Sequence, residues 1–152
     1  MKRLCIVPCG SKKIWKKNPK AGATEAKNVY VGSFAKKCIE YAEKFHAGHY
    51  RILSAKYGLM QPNFRIPQDY NVTFNKPSGH VVSIEQLKKQ ALEAGLKQGY
   101  KEIVVLGGRE YVSRIRAVFD GCIIQTPLAT CKGMGYMMQK LNKGILRGKP
   151  LI

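Results

Sequence analysis

The chain alternates between short, almost wholly apolar runs and longer stretches in which apolar residues recur every three or four positions. Four runs stand out, at residues 3–8, 50–54, 102–106 and 122–126, built on segments such as Leu4-Cys5-Ile6-Val7, Ile103-Val104-Val105-Leu106 and Cys122-Ile123-Ile124. Each is followed by Gly, Pro or Ser and then by a helical pattern or a loop, which predicts strands alternating with helices. A strand with one wet face alternates apolar and polar residues. These runs do not, so helices should cover both of their faces. The expected fold is α/β, a three-layer α/β/α sandwich with a short, mainly parallel sheet, formed as one domain over residues 1–152. Helices are expected at about 33–45, 83–98, 110–119 and 135–143. The second has the clearest start: Ser83 with Gln86 three residues on resembles a capping box, and Ile84, Leu87, Ala91 and Leu92 form an apolar stripe.

Two stretches follow neither period. Residues 10–28 are rich in Lys, and residues 55–82 carry Pro62, Pro67, Pro77 and two glycines. Long aperiodic stretches in a compact domain are usually functional or disordered, and the aromatics and prolines in these two point to ordered loops.

Charge narrows the partners. The chain has 27 Lys and Arg against nine Asp and Glu, a formal net charge of +18. Self-repulsion at that level opposes compaction, so the surplus points to a polyanionic partner. Nucleic acid is the expected one, DNA ahead of RNA, because each phosphate neutralised by Lys or Arg releases counterions. The apolar run after Met1-Lys2-Arg3 is too short for a signal peptide or a membrane span, so no membrane partner and a cytoplasmic location are expected. Five cysteines without a CxxC pair argue against a disulfide framework and a zinc ribbon. No metal and no cofactor are expected. The oligomeric state stays open.

In a parallel α/β sheet the ligand crevice lies beyond the carboxyl ends of the strands. Here those ends lead into Pro8-Cys9-Gly10-Ser11-Lys12-Lys13, Ser54-Ala55-Lys56-Tyr57-Gly58, Gly107-Gly108-Arg109-Glu110-Tyr111 and Thr126-Pro127. Gly10, Ser11 and Lys12 are placed to form an anion nest, with a plain turn as the alternative. Gly107 and Gly108 stand before a helix, where backbone N–H groups can meet an anion or merely turn the chain. Arg109 is a phosphate candidate, and Tyr57 and Tyr111 are candidates to stack a base that has left its helix. Only two carboxylates come into play. Glu110 sits at the crevice, and Asp69, beside Tyr70 in the long loop, could act as general base, stabilise a cationic sugar, or simply form a turn.

These residues also carry a resemblance. The segments Ile6-Val7-Pro8-Cys9-Gly10-Ser11-Lys12-Lys13, Tyr30-Val31-Gly32-Ser33-Phe34 and Ile52-Leu53-Ser54-Ala55-Lys56-Tyr57-Gly58-Leu59 with Pro62, followed by Gly107-Gly108 with Tyr111 and Pro127 with Gly133-Met134-Gly135, look like an uncharacterised prokaryotic and phage domain family. That family resembles the core domain of archaeosine synthase and, more distantly, the uracil-DNA-glycosylase-like fold. The resemblance implies a cleft that takes a nucleobase, with the loop after the first strand in the position of the glycosylase water-activating motif. In this chain the loop offers Cys9, Gly10, Ser11 and Lys12 and no carboxylate. The Asp-Pro-Tyr and His-Pro-Ser patterns of uracil excision are absent, and Thr126-Pro127-Leu128 stands roughly where the second would be.

The expected function is therefore base-directed, with DNA-glycosylase-like cleavage of the N-glycosidic bond of a modified base placed first. In that scheme Asp69, Glu110 and Ser11 are the catalytic candidates. Cys9, Gly10, Lys12, Lys13, Ser54, Lys56, Tyr57, Gly58, Tyr70, Gly107, Gly108, Arg109, Tyr111 and Pro127 are the substrate-binding candidates. A transfer-RNA base-modifying enzyme acting on a deazapurine and a non-catalytic nucleic-acid-binding module are the alternatives.

Overall fold

A computed structural model describes residues 2–76 and 78–152, so Met1 and Pro77 of the second long loop lie outside the described residues. In chain order the elements are β1 (Leu4–Pro8), α1 (Ile14–Lys17), β2 (Thr24–Glu25), α2 (Ala26–Val29), α3 (Ser33–Phe45), β3 (Tyr50–Ser54), β4 (Gly58–Met60), β5 (Arg65–Ile66), α4 (Ile84–Glu93), α5 (Leu96–Gly99), β6 (Glu102–Val105), α6 (Arg109–Val118), β7 (Ile123–Gln125) and α7 (Met134–Arg147). The four apolar runs have become β1, β3, β6 and β7. They are parallel neighbours in a five-stranded sheet of order β4-β3-β1-β6-β7, whose only antiparallel member is β4.

The unbroken apolar run of β1 has the predicted cause. Leu4 and Ile6 pack into a cluster with Leu87 and Ala91 of α4 and with Ile115 and Val118 of α6. Cys5 and Val7 point the other way, into a cluster with Cys38, Tyr41 and Ala42 of α3 and with Leu141 of α7. Successive strand residues face opposite sides, so each side of β1 feeds a different helical layer. The layering is compatible with a three-layer α/β/α sandwich. Each fully buried Leu or Ile on these faces contributes roughly 1.5–3 kcal/mol.

Two boundaries differ from expectation by more than a residue, for local reasons. The helix expected over 83–98 begins with the predicted capping box, Gln86 N donating to Ser83 Oγ and Ser83 N to Gln86 Oε1. It then stops at Glu93, because Gly95 takes φ +66° and the chain restarts as α5. The last helix runs four residues past the expected 143, to Arg147, and ends at Gly148 in the left-handed region.

Specific contacts hold parts of both aperiodic stretches. Trp15 is buried and its indole donates to the Gly22 carbonyl at 2.9 Å. β2 of the first stretch pairs with β5 of the second, tying the two loops together. At the outer edge, β3 turns back into β4 through Gly58, whose φ of +77° favours glycine. Gln90 of α4 secures that turn: its side chain accepts from Leu59 N at 2.9 Å and donates to Tyr57 O at 2.9 Å. A Cβ on Gly58 would collide with the same amide.

Candidate functional site

The connection from β1 through α3 leads to β3 on one side, and the connection from β3 through α4 and α5 crosses back to β6 on the other. The chain therefore diverges at the carboxyl ends of β1 and β6, the place where open α/β sheets hold their ligands. Cys9 leaves β1 there, and Gly107 leaves β6.

The two ends are joined by Tyr111 in the first turn of α6. Its hydroxyl donates to the Cys9 carbonyl at 3.0 Å and lies 3.3 Å from Cys9 Sγ. Either atom can donate in the second contact, so the phenol's one proton can serve the carbonyl or, once the thiol ionises, the sulfur. Burial raises the pKa of the Cys9 thiol. Tyr111, the Ala55 backbone amide and the nearby charge of Lys13 pull it the other way. Burial likewise raises Tyr111, reinforced by Cys9. Gly107 exists for this arrangement: a Cβ there would lie 2.7 Å from the Tyr111 ring.

Lys13 enters from the loop after β1. An isolated bridge pairs it with Tyr30, and the residue is only 6% exposed. Its ammonium sits 4.5 Å above the Tyr70 ring and donates to Ser11 O at 3.5 Å. Burial lowers its pKa, while Cys9 and Asp69 oppose that shift. Beneath it runs a hydroxyl chain: Tyr30 Oη to Tyr70 Oη at 2.5 Å, then Tyr70 Oη to Ser54 Oγ at 3.1 Å. Ser54 Oγ also accepts from the backbone N–H groups of Lys56 and Tyr57, which leaves its own proton for Tyr70. Burial pushes Tyr70 up to about 12 and Tyr30 higher still, so both phenols stay neutral. Cys9 touches Tyr111 and packs against the apolar cluster that holds Tyr30 and Tyr70, and its charge would bear on the titration of these phenols and of Lys13.

The remaining candidates fall around this cluster. Ser11 and Lys12 are exposed and Gly10 half-buried, so of the two adjacent lysines it is Lys13 that turns inward. Tyr57 is half-buried and engaged edge-on by Tyr70 at 5.4 Å, beside Phe64 at 5.5 Å, with Lys56 Nζ 5.3 Å over its ring. Asp69 is exposed and accepts from the backbone N–H of its neighbour Tyr70 at 2.8 Å. Glu110 is half-buried and forms an ion pair with Arg114 at 2.8 Å, and Arg114 lies 4.0 Å from the centre of the Phe74 ring. Arg109 and Gly108 are exposed at the start of α6. The Pro127 carbonyl accepts from Lys140 at 2.6 Å. Ser54 and Gly58 are buried and hold the β3–β4 turn rather than face a ligand.

Sequence reasoning missed Tyr30, because it lies beyond no strand end and comes to the cluster only through the bridge to Lys13. It also missed the electrostatic frame. No carboxylate occurs between Lys2 and Thr24 or between Gly121 and Ile152, while these segments carry seven and five basic residues. They supply the loops after β1 and β7, two of the strand ends at this edge. Among the described residues no group of three or more His, Cys, Asp or Glu is arranged to hold a metal ion, and no helix is long and apolar enough to cross a membrane.

The sequence is 40% identical over 146 residues to a protein of Bacillus subtilis (strain 168) described as "Uncharacterized protein YfjM", a match that spans 95% of this chain and 96% of that protein. Residues 4–143, from the first core residue of β1 through most of α7, match the model of a protein family. The cluster around Cys9 lies wholly inside that match, and the chain belongs to the family of unknown function DUF6884.

Proposed function

We propose that the chain is an enzyme acting on a base in nucleic acid. The base would occupy the crevice between the ends of β1 and β6, and the flanking strand would lie on the acid-free basic loops. One observation carries the reading: a thiol, an amine and three phenols, Cys9, Lys13, Tyr30, Tyr70 and Tyr111, meet at the divergence point of a sheet in a chain of net charge +18. Reactive side chains with perturbed proton affinities, gathered at such a crevice, are the mark of a site. The likeness to the archaeosine synthase core and to the uracil-DNA-glycosylase-like fold belongs to the same reading.

The arrangement favours base modification over glycosidic cleavage. Cleavage needs a carboxylate or its equivalent to support water attack, and the crevice itself holds none once Glu110 is paired with Arg114. A buried amine with lowered pKa is instead suited to act as base or nucleophile, and a thiol beside it to attack an electrophilic carbon of the base. With Lys13 as ammonium, loss of the Cys9 proton to solvent would leave a thiolate within reach of that charge, with Tyr111 and the Ala55 amide as further thiolate partners. Glycosylase-like cleavage is the second reading, and the observation in its favour is that Asp69 lies within electrostatic reach of Lys13.

The test is incubation with modified-base DNA and with bulk transfer RNA, followed by mass spectrometry of released bases and altered nucleosides. An altered nucleoside supports base modification, and a free base supports the second reading. Neither, together with tight binding, overturns the enzyme and leaves a binding module. In all three cases binding to duplex should weaken with salt by about 0.9 in log–log slope per phosphate contact.

A further inference from the structure

We infer that a second binding site, built by residues other than those of the crevice, lies along α7 and takes single-stranded nucleic acid, holding its phosphates and stacking one unpaired base. The inference rests on the nucleic-acid reading above and specifies the form of the partner. A groove of about 440 Å³ opens between the loop after β7 and α7, lined by Thr130, Lys132, Tyr136, Gln139, Lys140 and Lys143. Tyr136, Lys140 and Lys143 are spaced i, i+4, i+7 and so share one stripe of the helix. At 1.5 Å of rise per residue, the two lysines follow the tyrosine by about 6 and about 10 Å along the axis.

The lining carries no carboxylate. Lys132 and Lys143 are exposed and, among the described residues, enter no ion pair. Lys140 donates to the Pro127 carbonyl, which fixes the loop wall of the groove without neutralising the charge. Tyr136 is 62% exposed and stacks on no other ring among the described residues. A row of cations beside one unengaged aromatic is the combination that holds a strand whose bases are free to stack. A duplex keeps its base faces covered and offers that ring nothing. The groove also adjoins the crevice's own core: Leu128 and Cys131 of the loop pack into the apolar cluster that includes Cys9 and Tyr70.

The experiment is fluorescence anisotropy with a labelled oligo-dT of about 12 nucleotides, against a duplex of equal length and anionic phospholipid vesicles. Single strand should bind more tightly than duplex at equal salt. Tyr136→Ala should weaken single-strand binding about tenfold while Tyr136→Phe retains it, as expected for stacking. Lys132→Ala combined with Lys143→Ala should lower the log–log salt slope by about 1.4, at about 0.7 per contact on a single strand. All three positions are exposed, so unchanged melting temperatures will show that the variants fold. If the parent binds single strand and the variants match it in affinity and slope, the groove is not the site, and the nucleic-acid reading survives. Loss of vesicle binding in the variants with oligonucleotide binding intact also overturns the inference. If the parent binds neither oligonucleotide at low salt, the nucleic-acid reading itself fails.

Discussion

Replacing Lys13 by Met should leave the protein as stable as the parent, or more so, at pH 7 while abolishing turnover. The lysine is 6% exposed, and an ammonium withdrawn that far from water carries an effective penalty of several kcal/mol. Against it stand a cation–π contact with Tyr70 at 4.5 Å, worth about 0.5–2 kcal/mol, and one long hydrogen bond to Ser11 O. Burial outweighs the favourable charges of Cys9 and Asp69, because the amine titrates below the ordinary 10.5. Methionine keeps similar bulk without the charge, so the exchange should fall between neutral and a gain of about 3 kcal/mol. For a domain of this size that is an upward shift of roughly 2–4 °C per kcal/mol. The pH dependence has a definite sign. A base whose folded pKa is lowered destabilises the fold fully below that pKa, and the penalty fades as pH rises toward the unfolded value. The stability gap between Lys13→Met and parent should therefore be widest at pH 7 and close as pH approaches 10.5. Thermal melts at several pH values, with turnover measured on the same preparations, read both effects. A variant that loses more than about 2 kcal/mol at pH 7 would make Lys13 a structural residue. One that keeps full turnover would remove it from the site.

Three further outcomes are expected. Tyr111→Phe removes a bond that favours the Cys9 thiolate, so alkylation of Cys9 by iodoacetamide at fixed pH should slow; a faster reaction would mean that the phenol merely shields the sulfur. Gly107→Ala forces its Cβ against the Tyr111 ring and should cost about 1–3 kcal/mol, whereas Gly108→Ala meets open space and should stay within about 0.5 kcal/mol, with melting temperatures as the measure. Glu110→Gln should keep its rate because that carboxylate serves Arg114, while Asp69→Asn separates the two reaction classes: a loss of about 100-fold in single-turnover rate supports glycosidic cleavage, and a modest loss supports base modification.

β1 and β6 were legible because burial on both faces removes polar residues from the run, and α3 because its apolar stripe keeps one period from end to end; β7 departs from that reason, since it is an edge strand with Ile123 59% exposed and no residue fully buried. β4 was not, since Gly58-Leu59-Met60 is too short to show a period and is held by Gln90 from a helix far along the chain. β2 and β5 are two residues each and exist through their mutual pairing. At the site, Cys9 and Tyr111 could be placed at the crevice because strand ends define its rim. The choice between Lys12 and Lys13 could not be made, because the bridge to Tyr30 decides which side chain turns inward, and that contact is tertiary. The same limit applies to Glu110: position put it at the crevice, while its pairing with Arg114 one helical turn on is a side-chain contact that position does not reveal.

The bond from Leu59 N to Gln90 Oε1 has a consequence for how the molecule meets its own copies. β4 is an outer strand, and an outer strand with idle amides invites another chain to pair with it. In the ladder with β3, Gly58 and Met60 pair inward through Ser54 and Ile52, so the amide of Leu59 is the one that looks outward. The Gln90 side chain occupies it, and its own NH₂ occupies the Tyr57 carbonyl just ahead. One amide side chain thus stands in for the next strand and closes this stretch of the sheet's border against recruitment of a neighbour.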